Sequence, residues 1–181
     1  ILTMFSNPVL GMLAGGLITS AIQSSSASIG ILQALCDTGS VSFAAAIPII
    51  MGQNIGTCIT AIMSSFGTTK NAKRAAVVHL LFNLIGTIIF MVVFYTVNSF
   101  VHFEFMADPA NKTGIAVVHT CFNIAATIVL LPMAGLLEKI SYKIIKIDEA
   151  EEKQTSQQPE FVRMDERFLG TPSFALEQAS S

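Results

Sequence analysis

The sequence predicts an all-α polytopic membrane protein, and three observations lead there. Charge is nearly absent from most of the chain: residues 1–69 carry one charged side chain, Asp37, residues 1–137 carry seven, and residues 138–181 carry fifteen. A soluble domain is about a quarter charged along its whole length, so the first three quarters of this chain are composed for a different solvent. Two long stretches, 75–101 and 113–137, contain no charge at all. The remaining apolar sequence, 8–66, is cut by polar patches into pieces too short to span a bilayer. The net charge of −2, with its basic residues scattered in small clusters, excludes a nucleic-acid-binding face.

In chain order, the first element is an apolar segment over 8–22, about fifteen residues or ~22 Å of helix, less than a bilayer core of about 30 Å. Gln23-Ser24-Ser25-Ser26-Ala27-Ser28 follows, then a second short apolar run over 29–36 and a turn at Asp37-Thr38-Gly39-Ser40. Residues 8–36 are therefore expected to form a re-entrant helical hairpin. Residues 41–66 are expected to form a broken helix, interrupted at Gly52-Gln53-Asn54-Ile55-Gly56-Thr57. In a soluble protein such polar runs would be linkers. Flanked by membrane-grade sequence, unwound backbone is tolerated only where it is buried in protein or lines a cavity.

The stretches 75–101 and 113–137 are each expected to be a transmembrane helix. Lys70, Lys73 and Arg74 precede the first, and Lys139, Lys143 and Lys146 follow the second. Two crossings put both clusters on one side, which the positive-inside rule makes cytoplasmic. Loop 67–74 and the C-terminal tail are thus expected in the cytoplasm and the protein in the plasma membrane. The two stretches also share a motif: Ala76-Val77-Val78-His79-x-x-Phe82-Asn83 with Thr87-Ile88 recurs 40 residues later as Ala116-Val117-Val118-His119-x-x-Phe122-Asn123 with Thr127-Ile128. His79 with Asn83, and His119 with Asn123, share a helix face. They suit either hydrogen bonding between neighbouring helices or a role in gating or pH sensing. Two histidines without a carboxylate or thiolate cluster make a poor transition-metal site, and none is expected. Cys36, Cys58 and Cys121 are odd in number, far apart and set in apolar sequence, as buried small hydrophobes rather than a disulfide framework.

The chemistry of the polar patches is specific. Ser24, Ser25 and Ser26 offer hydroxyls and backbone N–H groups at the start of a short helix, where the free donors and the helix dipole favour an oxyanion. Gln23, Asn54, Thr57 and Thr60 offer neutral oxygens that suit a weakly held Na⁺, and Thr57 and Thr60 fall on one face. Broken helices presenting such groups at the midplane are the design of secondary transporters. A hydrolase is disfavoured, because the serines have no evident base and orienter in the sequence. The plainer alternative is that Ser and Thr only let helices pack closely.

At these residues the chain resembles the type II sodium-dependent phosphate cotransporter family, in its bacterial branch with a C-terminal PhoU-like domain. The ordered set Gln23-Ser24-Ser25-Ser26-Ala27, then Gly52-x-Asn54-x-Gly56-Thr57, then Thr60, carries the resemblance, together with the HLLFN and HTCFN stretches and Leu131-Pro132. It implies phosphate at Ser24, Ser25, Ser26 and Asn54, and Na⁺ at Gln23, Ser24, Ser25, Thr57 and Thr60. It implies no cofactor beyond Na⁺ as the coupling ion. Cys58 departs from the threonine that many relatives carry. The family is built from two inverted repeats, each with its own QSSS; this chain has one and resembles the C-terminal half. Its start at Ile1 and its end within a helix-like stretch lead to the expectation of a fragment, whose partner is the missing N-terminal repeat. Residues 138–160 are expected to be a charged cytoplasmic linker and 161–181 the start of the PhoU-like domain. The implied function is Na⁺-coupled symport of inorganic phosphate. The alternatives are a non-transporting membrane phosphate sensor or regulator, or a Na⁺-coupled transporter of another small anion.

Overall fold

The computed structural model describes residues 7–146; the expected linker 138–160 from residue 147 onward, and the whole expected segment 161–181, lie outside the described residues. Six α-helices run in order: α1 Pro8–Ile22, α2 Ser25–Cys36, α3 Phe43–Ser65, α4 Lys70–Val101, α5 Lys112–Leu130 and α6 Ala134–Ile144. Short 3₁₀ turns cover Glu104–Ala107 and Leu131–Met133. Among the described residues the sole strand-like pairing is a single bridge between Ser42 and Pro109.

Local chemistry sets the helix starts. The Asn7 side chain accepts from the N–H groups of Val9 and Leu10 at 3.0 and 3.3 Å, with Pro8 in the first turn. Thr69 caps α4 through Ala72 N at 3.3 Å and Asn111 caps α5 through Gly114 N at 2.8 Å. Each side-chain oxygen satisfies a first-turn donor that has no earlier carbonyl to bond.

Helix α3 is the axis of the bundle. Ala46, Ile50 and Met51 are completely buried, and Phe122, Ile115 and Leu32 close around them from α5 and α2. Helix α1 lies parallel to α3, as the successive pairs Gly15 with Ile49, Gly16 with Gly52 and Thr19 with Gly56 show. The approach is backbone to backbone. A Cβ on Gly52 would stand 1.9 Å from the Met12 carbonyl oxygen, and one on Gly15 would stand 2.1 Å from the Ile49 carbonyl oxygen. Only residues without a side chain allow this crossing.

Two expectations need correction here. The break at 52–57 does not occur: α3 runs unbroken from Phe43 to Ser65, with Pro48 inside it. Gly52 and Gly56 serve as a flat contact surface for α1 rather than as helix breakers, and burial of that surface overrides their low helix propensity. The expected helix 113–137 is also not one continuous α-helix. It leaves α geometry at Leu131–Met133, around Pro132, which lacks an N–H to donate, and then resumes as α6 through Ile144. Residues 138–144, expected in the linker, are therefore helical.

Among the described residues three helical stretches are long and apolar enough to cross a membrane: Phe43–Ser65, Lys70–Val101 and Lys112–Ile144, the last with its 3₁₀ turn. The first of these adds to the two that the uncharged runs predict. Helices α1 and α2, at fifteen and twelve residues, are shorter. Both basic clusters stand at one end of the bundle, since the Arg74 guanidinium donates to the Ile145 carbonyl at 3.1 Å and stacks 3.9 Å from the centre of the Tyr142 ring. At the opposite end Lys112 pairs with Asp37 at 2.5 Å, tying the hairpin to the start of α5.

Candidate functional site

The hairpin turn is only two residues long. Helix α1 ends on Gln23 in the left-handed region, φ 58°, with its N–H donating to the Thr19 carbonyl at 2.7 Å. Ser24 is extended and caps α2, its hydroxyl accepting from Ala27 N at 3.3 Å while also lying 3.2 Å from the Ser26 hydroxyl. Helix α2 thus starts at Ser25, inside the polar run and ahead of the apolar run 29–36, and Ser25 and Ser26 occupy its first turn. Their N–H groups have no earlier carbonyl of α2 to bond, and the positive end of the helix dipole lies there.

A left-handed glutamine is unusual. That conformation costs a non-glycine residue roughly 1–2 kcal/mol, and glycine is the usual occupant of a helix C-terminal cap. The Gln23 side chain reaches across to α3, its Nε2 standing 3.6 Å from Met63 Sδ. The turn is therefore held against the second half of α3, where Thr57 and Thr60 project. Both threonines are half-buried and donate along their own helix, Thr57 Oγ1 to the Gln53 carbonyl at 2.8 Å and Thr60 Oγ1 to the Thr57 carbonyl at 2.9 Å. A hydroxyl whose proton is spent on the helix keeps its lone pairs for another partner, which is the polarity that a cation needs.

Asn54 is buried and its amide donates to the Ile50 carbonyl at 2.9 Å. It lies on α3 about two turns before the level of Gln23. The structure thus gathers Gln23, Ser24, Ser25 and Ser26 in one turn and sets Thr57, Thr60 and Asn54 along the unbroken α3.

Three polar residues that the sequence pattern does not single out join them. Thr19 Oγ1, Ser28 Oγ and Gln53 Oε1 are buried with no hydrogen-bond partner, in residues 0%, 1% and 3% exposed. Thr19 packs on Gly56, where an added Cβ would lie 2.8 Å from the Thr19 Cβ. Gln53 Nε2 donates to the Ser28 carbonyl at 3.1 Å. All three therefore stand between the hairpin and the one face of α3 that carries Gln53 and Gly56. An unpaired buried oxygen costs roughly 1–3 kcal/mol, and these three polar atoms are left without a partner among the described residues. Isolated Ser and Thr in apolar helices carry no sequence signature. The two Gly-x-x-x-Gly spacings, Gly11 to Gly15 and Gly52 to Gly56, could have located the contact.

The repeated His–Asn motif is used differently in its two copies. Asn83 and Asn123 donate to the carbonyls of His79 and His119 at 3.0 and 2.8 Å, each within its own helix. Thr87 is fully buried and reaches the Met51 carbonyl at 3.5 Å, whereas Thr127 is exposed and bonds back to Asn123. Among the described residues no group of three His, Cys, Asp or Glu could hold a metal ion. Cys36 and Cys58 are buried, but Cys121 is exposed, on the outer side of α5; that corrects the expectation of three buried cysteines, because α5 packs on the bundle along one narrow stripe through Ile115, Phe122 and Ala126.

A pair of short helices folded on a glycine-faced central helix, beside long apolar helices, defines an all-helical integral membrane protein. The chain belongs to the Na⁺/Pi-cotransporter family, whose profile matches residues 1–108. That family is one of transporters rather than enzymes. The chain is 33% identical over 134 residues to the uncharacterized protein YqeW of Bacillus subtilis (strain 168), covering 74% of this chain and 43% of that protein. It is 38% identical over 94 residues to sodium-dependent phosphate transport protein 2A of Rattus norvegicus, covering 49% of this chain and 15% of that protein. Against sodium-dependent phosphate transport protein 2B of Homo sapiens it is 38% identical over 95 residues, 49% of this chain and 14% of the relative. The chain thus spans less than half the length of these relatives. No solved structure matches it.

Proposed function

We propose that this chain contributes one of two binding repeats to a Na⁺-coupled phosphate symporter. The carrying observation is that three buried oxygens, Thr19 Oγ1, Ser28 Oγ and Gln53 Oε1, lack partners on the helices that flank the turn bearing Ser24, Ser25 and Ser26. Phosphate is taken by the first-turn N–H groups and hydroxyls of α2, with Asn54 beside it. Sodium is taken by neutral oxygens, among them Gln23, Thr57 and Thr60 with Ser24 and Ser25. The absence of charge in residues 38–69 suits a site that must release its cargo, because neutral donors bind without the cost of a buried fixed charge. A sodium ion seated on orphaned oxygens would also stabilise the hairpin against α3 and favour the anion next to it, which couples the two ions thermodynamically.

In this reading α1 and α2 form a re-entrant hairpin, the basic end of the bundle faces the cytoplasm, and a second, inverted repeat completes the site. His79 and His119 pack or gate helices outside the binding residues. The test is Na⁺-driven ³²P-phosphate uptake in vesicles holding the full-length protein. Gln23→Ala and Thr57→Ala are each expected to lower uptake at least tenfold; uptake equal to wild type would overturn the assignment. Accumulation without a Na⁺ gradient would overturn the coupling.

A further inference from the structure

Away from the hairpin, at the basic end of the bundle, α4 and α6 leave a groove of about 630 Å³ between them. Its two ends differ in chemistry. At one end stand Asn71, Arg74, Ser141 and Tyr142; further along the antiparallel helices stand Val78, Phe82, Ala134 and Gly135, with His79 and Glu138 as the polar residues among them. From Arg74 to Phe82 is eight residues, about 12 Å along the helix. The groove is therefore mostly polar at the Arg74 end and mostly apolar, His79 excepted, towards Phe82, over a distance that a phospholipid headgroup and the first part of its chains would cover.

Arg74 adds a second, independent feature. It is only 8% exposed, and its partners are all neutral: the Ile145 carbonyl at 3.1 Å, Asn71 Oδ1 at 3.2 Å and the face of Tyr142 at 3.9 Å. It has no carboxylate partner among the described residues. A buried cation is ordinarily paired with an anion. Glu138 lines the same groove and would repel an anion placed next to it, but Lys73, Lys139 and Lys143 lie within a residue or a turn of the Arg74 end in sequence. On α4 and α6 these cations outnumber Glu138, while Asp148 and Glu149 follow Ile145 in the sequence. Basic pockets between membrane helices, near their ends, are sites for acidic lipid headgroups.

We propose that this groove binds one anionic phospholipid, its phosphate against Arg74 and its acyl chain lying along Val78, Phe82 and Gly135. The test uses the full-length protein in detergent, offered phosphatidylglycerol and phosphatidylcholine in equal amounts, with retained lipid counted by native mass spectrometry. Phosphatidylglycerol is expected to be retained at least tenfold over phosphatidylcholine, and millimolar inorganic phosphate is expected not to displace it. Arg74→Gln removes the charge, and Gly135→Leu fills the groove. A side chain at Gly135 meets no atom within 4 Å, so the second variant should keep its unfolding midpoint. Each should reduce retained phosphatidylglycerol at least tenfold. Equal retention of both lipids would overturn the proposal, as would undiminished retention by Gly135→Leu. Displacement by inorganic phosphate would assign the groove to a free oxyanion and overturn the lipid.

Discussion

Helices α3 and α4 are both long, apolar and uncharged over most of their length, yet they live in different surroundings. Of the most apolar eighteen residues, 61% are buried in α3 and 17% in α4. Helix α4 turns Ile88, Val92, Val93 and Phe100 outward, from 51% to 80% exposed, which suits a lipid-facing surface. Helix α3 instead meets protein on most sides, at glycines on one face, and carries its polar residues inward. Hydropathy alone therefore does not separate a helix buried among other helices from one that faces outward. What separates them is where small and polar residues fall on the helix.

The sharpest way to break this contrast is to add one methyl group to each helix. Gly52→Ala places a Cβ against the Met12 backbone, where no rotamer can yield, and is expected to destabilise the protein by about 3 kcal/mol or more. Gly86→Ala on α4 meets only the ends of Ala126 and Leu130 side chains at 3.3 Å and gains helix propensity, so its effect should stay within about 1 kcal/mol. Thermal unfolding in detergent compares the two; equal losses would erase the distinction. A lysine on the outer face of α4 tests its exposure to lipid. Ile88→Lys is expected to weaken membrane insertion by about 3 kcal/mol, read from the inserted fraction in a translocation assay.

Gln23→Gly separates stability from function. Relief of the left-handed strain should leave stability unchanged or raise it by about 1 kcal/mol, while Na⁺-driven uptake by the full-length protein falls at least tenfold. Retained uptake would mean that only the turn's shape matters. The smallest effect is expected at the exposed pair of Lys112 and Asp37. Asp37→Asn should cost less than about 1 kcal/mol, and the loss should shrink in high salt.

Much of this was legible in the sequence. The uncharged runs at 75–101 and 113–137 locate α4 and α5, and the polar run from Gln23 to Ser28 locates the hairpin turn to within two residues, because a capping serine after an apolar helix leaves few other choices. The shared side of the two basic clusters follows from counting crossings. The continuity of α3 was not legible by propensity: Gly52, Asn54 and Gly56 all argue for a break until a partner helix covers them. Thr19 was invisible, and Ser28 and Gln53 stood in the polar runs without a role, since what marks all three is the contacts they lack, which only the packed bundle displays.

The contact between α1 and α3 also limits what this unit can do mechanically. Side chains that interdigitate can slip past one another by changing rotamers; two backbones separated only by glycine cannot. Helices α1 and α3 are thus joined backbone to backbone along this contact, as a single strut. Helix α2, joined to α1 through Gln23 and Ser24, is the lighter arm and the one that carries the serines.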